Sequence, residues 1–333
     1  MALRTAIEAA AEKMATRQAY GKTLVELGAE NPNLVVMDAD LSKSTKTEIF
    51  AKKFPERFIE CGIAEANMMS VASGMATCGK IVFASTFAMF AAGRAYEQIR
   101  NSIAYPHTNV KIVATHAGLT VGEDGATHQC LEDLALMRAI PGMVVISPSD
   151  AYQMKAAVRF ACEYEGPVYI RAGRLAVPVV YDDGFVFTPG CYKKVADGEN
   201  ITLMYTGAFY ETAMKVREIL AKFNITLRVI DVPSIKPFAV DAVKEAAKDA
   251  SMIVTLEDHN NIGGFGSAVC ETLTSLDIPE KVRVLRLGSG DKFGKSGKAA
   301  DVLARYGLDA KGVAKAIVAE KYPEFLDAID AEF

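Results

Sequence analysis

The chain has no tryptophan, no pair of cysteines in C-x-x-C spacing and no excess of positive charge. Its six cysteines, Cys61, Cys78, Cys130, Cys162, Cys191 and Cys270, stand too far apart for a zinc site or a disulfide framework. They read as reduced packing thiols of a cytoplasmic protein, with no metal-ligating set among them. Lys and Arg number 37 against 41 Asp and Glu, a net charge of −4 that argues against a broad nucleic-acid or anionic-membrane surface. A few clustered arginines could still hold a small phosphate. No apolar run reaches the ~20 residues of a membrane span; the longest, 81–93, is broken by Ser85 and Thr86. Residues 1–14 lack the apolar stretch of a secretory signal, and Glu8 and Glu12 argue against a transit peptide. Solenoid repeats and low-complexity tracts are also missing.

What is present is 333 residues, half of them apolar, enough for two cored domains at roughly 150 residues each. Short β-branched runs alternate with stretches of helical spacing. Strands are expected at 34–37, 57–60, 81–84, 110–115, 143–147 and 168–171, and a helix at 152–162, where Met154, Val158 and Ala161 share a face. From Ala176 to Glu199 the periodicity stops, and Pro178, Pro189, Gly184, Gly190 and Gly198 appear. The expected division is a domain at 1–180, a linker at 181–199 and a domain at 200–333. In the last, strands are expected at 201–205, 227–230, 253–256 and 282–287, and helices at 211–223, 240–250, 266–276, 299–306 and 312–321. Alternating strands and helices imply an α/β fold of two doubly wound domains, the first with a mostly parallel sheet and the second smaller.

Ligands of open parallel sheets bind beyond the carboxyl ends of the strands. Asp38, Asp40 and Ser44 follow the first strand and Glu65 the second. Phe87 and Phe90 follow the third, and His116, Asp124 and His128 the fourth; Arg171 ends the sixth. Each has an ordinary structural explanation taken singly. Glu65 complements the dipole of the helix it opens, the two Phe suit a core, Asp40 suits a turn, and Arg17 suits a solvated helix start. The loop Gly122-Glu123-Asp124-Gly125-Ala126-Thr127-His128-Gln129 is harder to dismiss, because such strand-to-helix loops often carry function. Two glycine-rich segments are decoys. The run from Gly288 to Ser296 ends in Gly-Lys-Ser but has Ser289 where a P-loop needs glycine, and Gly263-Gly264-Phe265-Gly266 does not fit G-x-G-x-x-G.

The run Asp40-Leu41-Ser42-Lys43-Ser44, the junction 58–68, the stretch Ser85-Thr86-Phe87-Ala88-Met89-Phe90 and the loop from Thr115-His116 to Thr127-His128-Gln129 resemble the second half of transketolase. The resemblance runs from about Arg17 to Arg174 and continues more loosely beyond. It implies a pyrimidine-binding domain and a C-terminal domain of a thiamine-diphosphate enzyme that moves two-carbon ketol groups between sugar phosphates. The family's Gly-Asp-Gly segment, which holds Mg2+ and the diphosphate, does not occur here. A separate N-terminal subunit is therefore expected to supply both, in a hetero-oligomer with two copies of each chain.

By the same resemblance Glu65 is the carboxyl group that shares a proton with the aminopyrimidine ring, and it must sit buried among apolar groups. Phe87, Phe90 and Ile63 match the cofactor pocket, and Asp40 an acid lining its cleft. Arg17, Ser44 and Arg171, with His116 nearby, match residues that hold the substrate phosphate. Asp124 matches the group that reads a sugar hydroxyl, and His128 one at the donor's carbonyl end. Two departures stand out: the family's third pocket aromatic falls on Gly93, and Ala117-Gly118 replaces the usual Asp-Ser after His116. The second is closer to deoxyxylulose-phosphate synthases, which remain rivals with the 2-oxo acid dehydrogenase beta subunits. A non-catalytic sugar-phosphate-binding protein is the alternative of another class.

Overall fold

The computed structural model describes residue 4, residues 12–278 and residues 281–332. Glu8, used above against a transit peptide, lies outside the described residues. Strand β1 (Lys13–Ala15) leads into helix Thr16–Glu30. The first sheet is then built from β2 (Leu34–Asp38), β3 (Phe58–Glu60), β4 (Ile81–Phe87), β5 (Val110–Thr115), β6 (Val144–Ile146) and β7 (Val168–Arg171). Neighbours among these six run parallel. Nearly all apolar side chains of β2, β4, β5, β6 and β7 are buried on both faces, as a parallel sheet covered by helices requires, and those of the edge strand β3 are half-buried. Strand β8 (Ala176–Pro178) returns antiparallel to β1.

The second sheet holds β9 (Lys193–Ala196), β10 (Asn200–Tyr205), β11 (Arg228–Asp231), β13 (Ala250–Leu256) and β14 (Arg283–Leu287) in the order β14-β13-β10-β11-β9. All its pairings are parallel except that of β9 with β11. Helices Tyr210–Ala221, Val240–Ala247, Phe265–Ser275, Ala299–Arg305 and Ala310–Lys321 belong to this half of the chain.

Three features differ from the sequence reading. The span 181–199 is not an irregular linker throughout, because β9 lies within it and caps the second sheet. Strand β12 (Ser234–Lys236) comes from the second half of the chain but pairs antiparallel with β6, so the first sheet has the order β12-β6-β7-β5-β4-β2-β3. Three residues in an unpatterned stretch carry no periodicity that could announce this. Strand β4 runs on to Phe87, beyond the expected 81–84. Its polar Ser85 is buried because the Tyr20 hydroxyl pairs with Ser85 Oγ at 2.7 Å.

The domains meet over a buried charge cluster. Arg171, expected to hold substrate phosphate, instead turns into this junction. Its Nε donates to Asp133 Oδ2 at 2.9 Å, and its Nη2 donates to the main-chain oxygens of Asp258 at 2.7 Å and Cys130 at 3.4 Å. The Tyr169 hydroxyl donates to the same Asp133 at 2.8 Å. The charge partner of Arg171 is thus a fully buried carboxylate. Truncating the arginine strands that carboxylate, and the loss of one partner of a buried pair costs about 3–5 kcal/mol. Arg171→Met is accordingly expected to lower unfolding stability by about that amount in a denaturant titration. A change within about 0.5 kcal/mol, the size of an ordinary surface substitution, would contradict the role of the junction.

Candidate active site

Helix Glu65–Thr77 begins directly beyond β3, after Gly62 in the left-handed region (φ 66°) turns the chain. Met68, Met69 and Ala72 bury one face of the helix, and this packing draws its first residue inside. Glu65 is 1% exposed, whereas Ile63, two residues earlier, is 76% exposed. The Glu65 carboxylate does not lie among apolar groups alone. Arg94 Nη1 donates to both of its oxygens at 2.8 Å, and the guanidinium carbon lies 4.6 Å from the centre of the Phe90 ring.

Phe87 is the last residue of β4, not a loop residue beyond it, and Phe90 opens a five-residue π-turn, Phe90–Arg94. π-Turns of this kind collect at functional sites. The two rings are stacked with centroids 5.7 Å apart. At Gly93, where the family's third aromatic falls, the space is filled from within: the Met89 methyl sits where a Cβ on Gly93 would be.

On the other side of the ring pair, His116 stacks on Phe87 with centroids 3.9 Å apart. His116 is buried, with Nδ1 2.9 Å from Thr115 Oγ1 and Nε2 3.4 Å from Arg17 Nη1. Burial, with Arg17 and Arg174 adding to it, lowers its pKa to about 3. It is therefore a neutral imidazole at pH 7, and Nε2 facing an obligate donor assigns the proton to Nδ1. Arg17 Nη1 donates to the Ser44 main-chain oxygen at 2.7 Å, while its buried Nε has no protein partner. Burial and the charge of Arg174 lower the proton affinity of Arg17.

Arg174 is the residue that sequence reasoning missed. It is anchored by the Val121 main-chain oxygen and by Glu123 Oε2 at 2.9 Å, and it is close enough to press electrostatically on Arg17 and His116. Arg171 and Arg174 stand three apart at the end of β7. The strand aims the first into the domain junction, and the chain leaving it brings the second to the rim. Spacing alone does not separate them.

The loop after His116 is held by the second domain. The Asp258 carboxylate accepts from Leu119 N at 2.6 Å, Thr120 N at 3.1 Å and Thr120 Oγ1 at 2.7 Å. Gly118 has φ 82°, and a Cβ there would overlap the same carboxylate, which is a packing reason for the Ala117-Gly118 departure. Buried Gln129 donates through Nε2 to the main-chain oxygens of Leu119, Gly122 and Lys295 at 3.2, 3.2 and 2.9 Å. The Gly-Lys-Ser segment thus braces this loop. His128 reaches the ring pair edge-on, 5.4 Å from Phe90 and 6.2 Å from Phe87.

The structure therefore brings together Glu65, Phe87, Phe90, His116, His128, Arg17 and Ser44, and adds Arg94 and Arg174. Asp124 is exposed on the same loop as His128. Asp40 is exposed in the left-handed region (φ 63°), its main-chain N–H donating to Glu60 Oε1 at 2.7 Å. Among the described residues no group of three His, Cys, Asp or Glu is placed to hold a metal.

Residues 12–179 match the family model of the transketolase pyrimidine-binding domain, and residues 190–313 that of the transketolase C-terminal domain. A relative from Phocaeicola vulgatus, one of the subunits of apulose-4-phosphate transketolase, is 37% identical over 91% of this chain and 96% of its own. Homo sapiens transketolase is 36% identical over 92% of this chain and 49% of its own. A solved structure described as the inactive beta4 tetramer of a split gene transketolase is 51% identical with a TM-score of 0.84, covering 91% of this chain and 97% of that one. The chain belongs to the transketolase family, and it carries that family's pyrimidine-binding and C-terminal domains.

Proposed function

We propose that this chain is the C-terminal subunit of a split transketolase. With a separate N-terminal subunit it moves a two-carbon ketol unit from a ketose phosphate to an aldose phosphate. The observation that carries the reading is the stacked Phe87–Phe90 pair between two unlike chemistries. Phe90 adjoins the buried Glu65 through Arg94, and Phe87 carries His116 and the Arg17–Ser44–Arg174 cluster. Support for the split arrangement comes from the apulose-4-phosphate transketolase relative and the split-gene structure, each matched over nearly its whole length.

The donor set fits the aminopyrimidine of thiamine diphosphate: Glu65 offers a buried carboxyl group to a ring nitrogen, and the two Phe offer faces worth about 0.5–1.5 kcal/mol beyond area burial. Asp40 and exposed Ile63 line the cleft that the partner subunit would close, and that subunit would bring Mg2+ and the diphosphate-binding segment. When bound, the cofactor supplies the acidic thiazolium carbon that adds to the ketose carbonyl. Glu65 holds and returns the proton shared with the pyrimidine nitrogen. His128, edge-on to the rings, bonds the donor's carbonyl end and steadies charge as the carbon–carbon bond breaks. Asp124 accepts from a sugar hydroxyl.

Arg174, in place of Arg171, joins Arg17 in gripping the phosphate, since a planar guanidinium binds its oxygens in pairs. Ser44 lies beside that grip, and neutral His116, whose Nε2 accepts from Arg17 Nη1, orients Arg17 without adding charge. A cytoplasmic assembly with two copies of each subunit is the expected form.

Ketol transfer by the purified chain, with and without its N-terminal partner, tests the division of labour. Activity is expected only in the mixture, and full activity from this chain alone would refute the reading; pyruvate decarboxylation by the mixture would favour the rival enzymes. Glu65→Gln should keep cofactor binding and lose most turnover. Undiminished turnover would remove Glu65 from its role. Arg174→Ala should raise KM for a phosphorylated ketose roughly 10- to 100-fold, the worth of one charged hydrogen bond, and leave an unphosphorylated ketol donor nearly unaffected. Equal losses on both donors would show that Arg174 does not bind phosphate.

A further inference from the structure

The Glu65 carboxylate is not open to a ligand. Its two oxygens face Arg94 Nη1, and the same guanidinium covers the Phe90 ring. A guanidinium is flat, donates from its edge and stacks through its face. Those are the two contacts an aminopyrimidine makes in such a pocket, an edge nitrogen to the carboxyl group and a face to the aromatic ring. The π-turn Phe90–Arg94 ends on Arg94 and brings its guanidinium back over the Phe90 ring.

We propose that Arg94 is a displaceable occupant of the cofactor-ring site. It neutralises the buried Glu65 while the site is free, and it swings into solvent when the aminopyrimidine enters. The inference rests on the function proposed above and goes beyond it, because it assigns a role to a residue that touches the reaction only by leaving. The asymmetry of the pair makes the exchange cheap on one side. The Glu65 side chain is 1% exposed, whereas that of Arg94 is 51% exposed, so the arginine already keeps half its hydration. Alone, the buried carboxylate would lack a partner; with Arg94 present, the incoming ring must compete for it. Cofactor affinity is then lower than the pocket itself allows, in proportion to the closed population.

Calorimetric titration of thiamine diphosphate with Mg2+ into the reconstituted two-subunit complex tests this without any activity reading. Arg94→Ala is expected to bind roughly tenfold tighter than the unaltered complex, the equivalent of one partly exposed charge pair no longer given up. Arg94→Gln, a milder change, should move the affinity in the same direction if the alanine variant folds poorly. In the free chain, Arg94→Ala should lower the thermal midpoint by a few degrees, and adding Glu65→Gln should recover most of that loss. Unchanged or weaker cofactor binding in both Arg94 variants would overturn the proposal and make Arg94 a fixed wall of the pocket. An unaltered thermal midpoint would equally overturn it, since Arg94 would then not be holding Glu65. Binding by neither the unaltered complex nor the variants would instead remove the function on which the inference stands.

Discussion

Arg171 donates to Asp133 from the first domain and to the main-chain oxygens of Cys130 and Asp258, so one guanidinium fixes the seam on which the site is built. The Asp258 main chain is held by Arg171, and the Asp258 carboxylate in turn holds Leu119 and Thr120. The loop that presents His128 is thereby fastened from the second domain, with Gln129 adding a tie to Lys295. A buried pair of this kind contributes little net stability when whole but is costly to break. That cost gives the loop a single position.

The two ends of the ring pair face opposite electrostatic demands. Around Phe87, burial and two arginines keep His116 neutral, so its Nε2 accepts from Arg17 and the positive charge there stays on the arginines. Around Phe90, one cation balances one buried carboxylate. The first end is therefore rich in positive charge, and the second is neutralised by its own arginine. The transketolase domains matched over this chain imply a thiamine-diphosphate cofactor.

The path by which the site is assembled explains why single motifs were poor guides. The Gly-Lys-Ser run that resembles a P-loop proves to be a brace for the loop carrying His128, and the glycines at 118 and 294 are required by Asp258 and Gln129 pressing on them. Neither constraint is local. Each joins residues well over a hundred positions apart.

Alternation of β-branched runs with helical spacing was enough to read the two α/β domains, most strand positions and the rim from which Glu65, Phe87, Phe90, His116 and His128 project. Periodicity reports which face of an element is buried, and parallel sheets place ligands at one end. Sequence could not separate Arg171 from Arg174, because a strand's last residue and one three positions later point to opposite sides only once the sheet is packed. Nor could it foresee β12 joining the first sheet, the Met89 methyl beside Gly93, or Arg94 on Glu65. Those depend on which surfaces meet in three dimensions, and the packing of one domain against the other decides that.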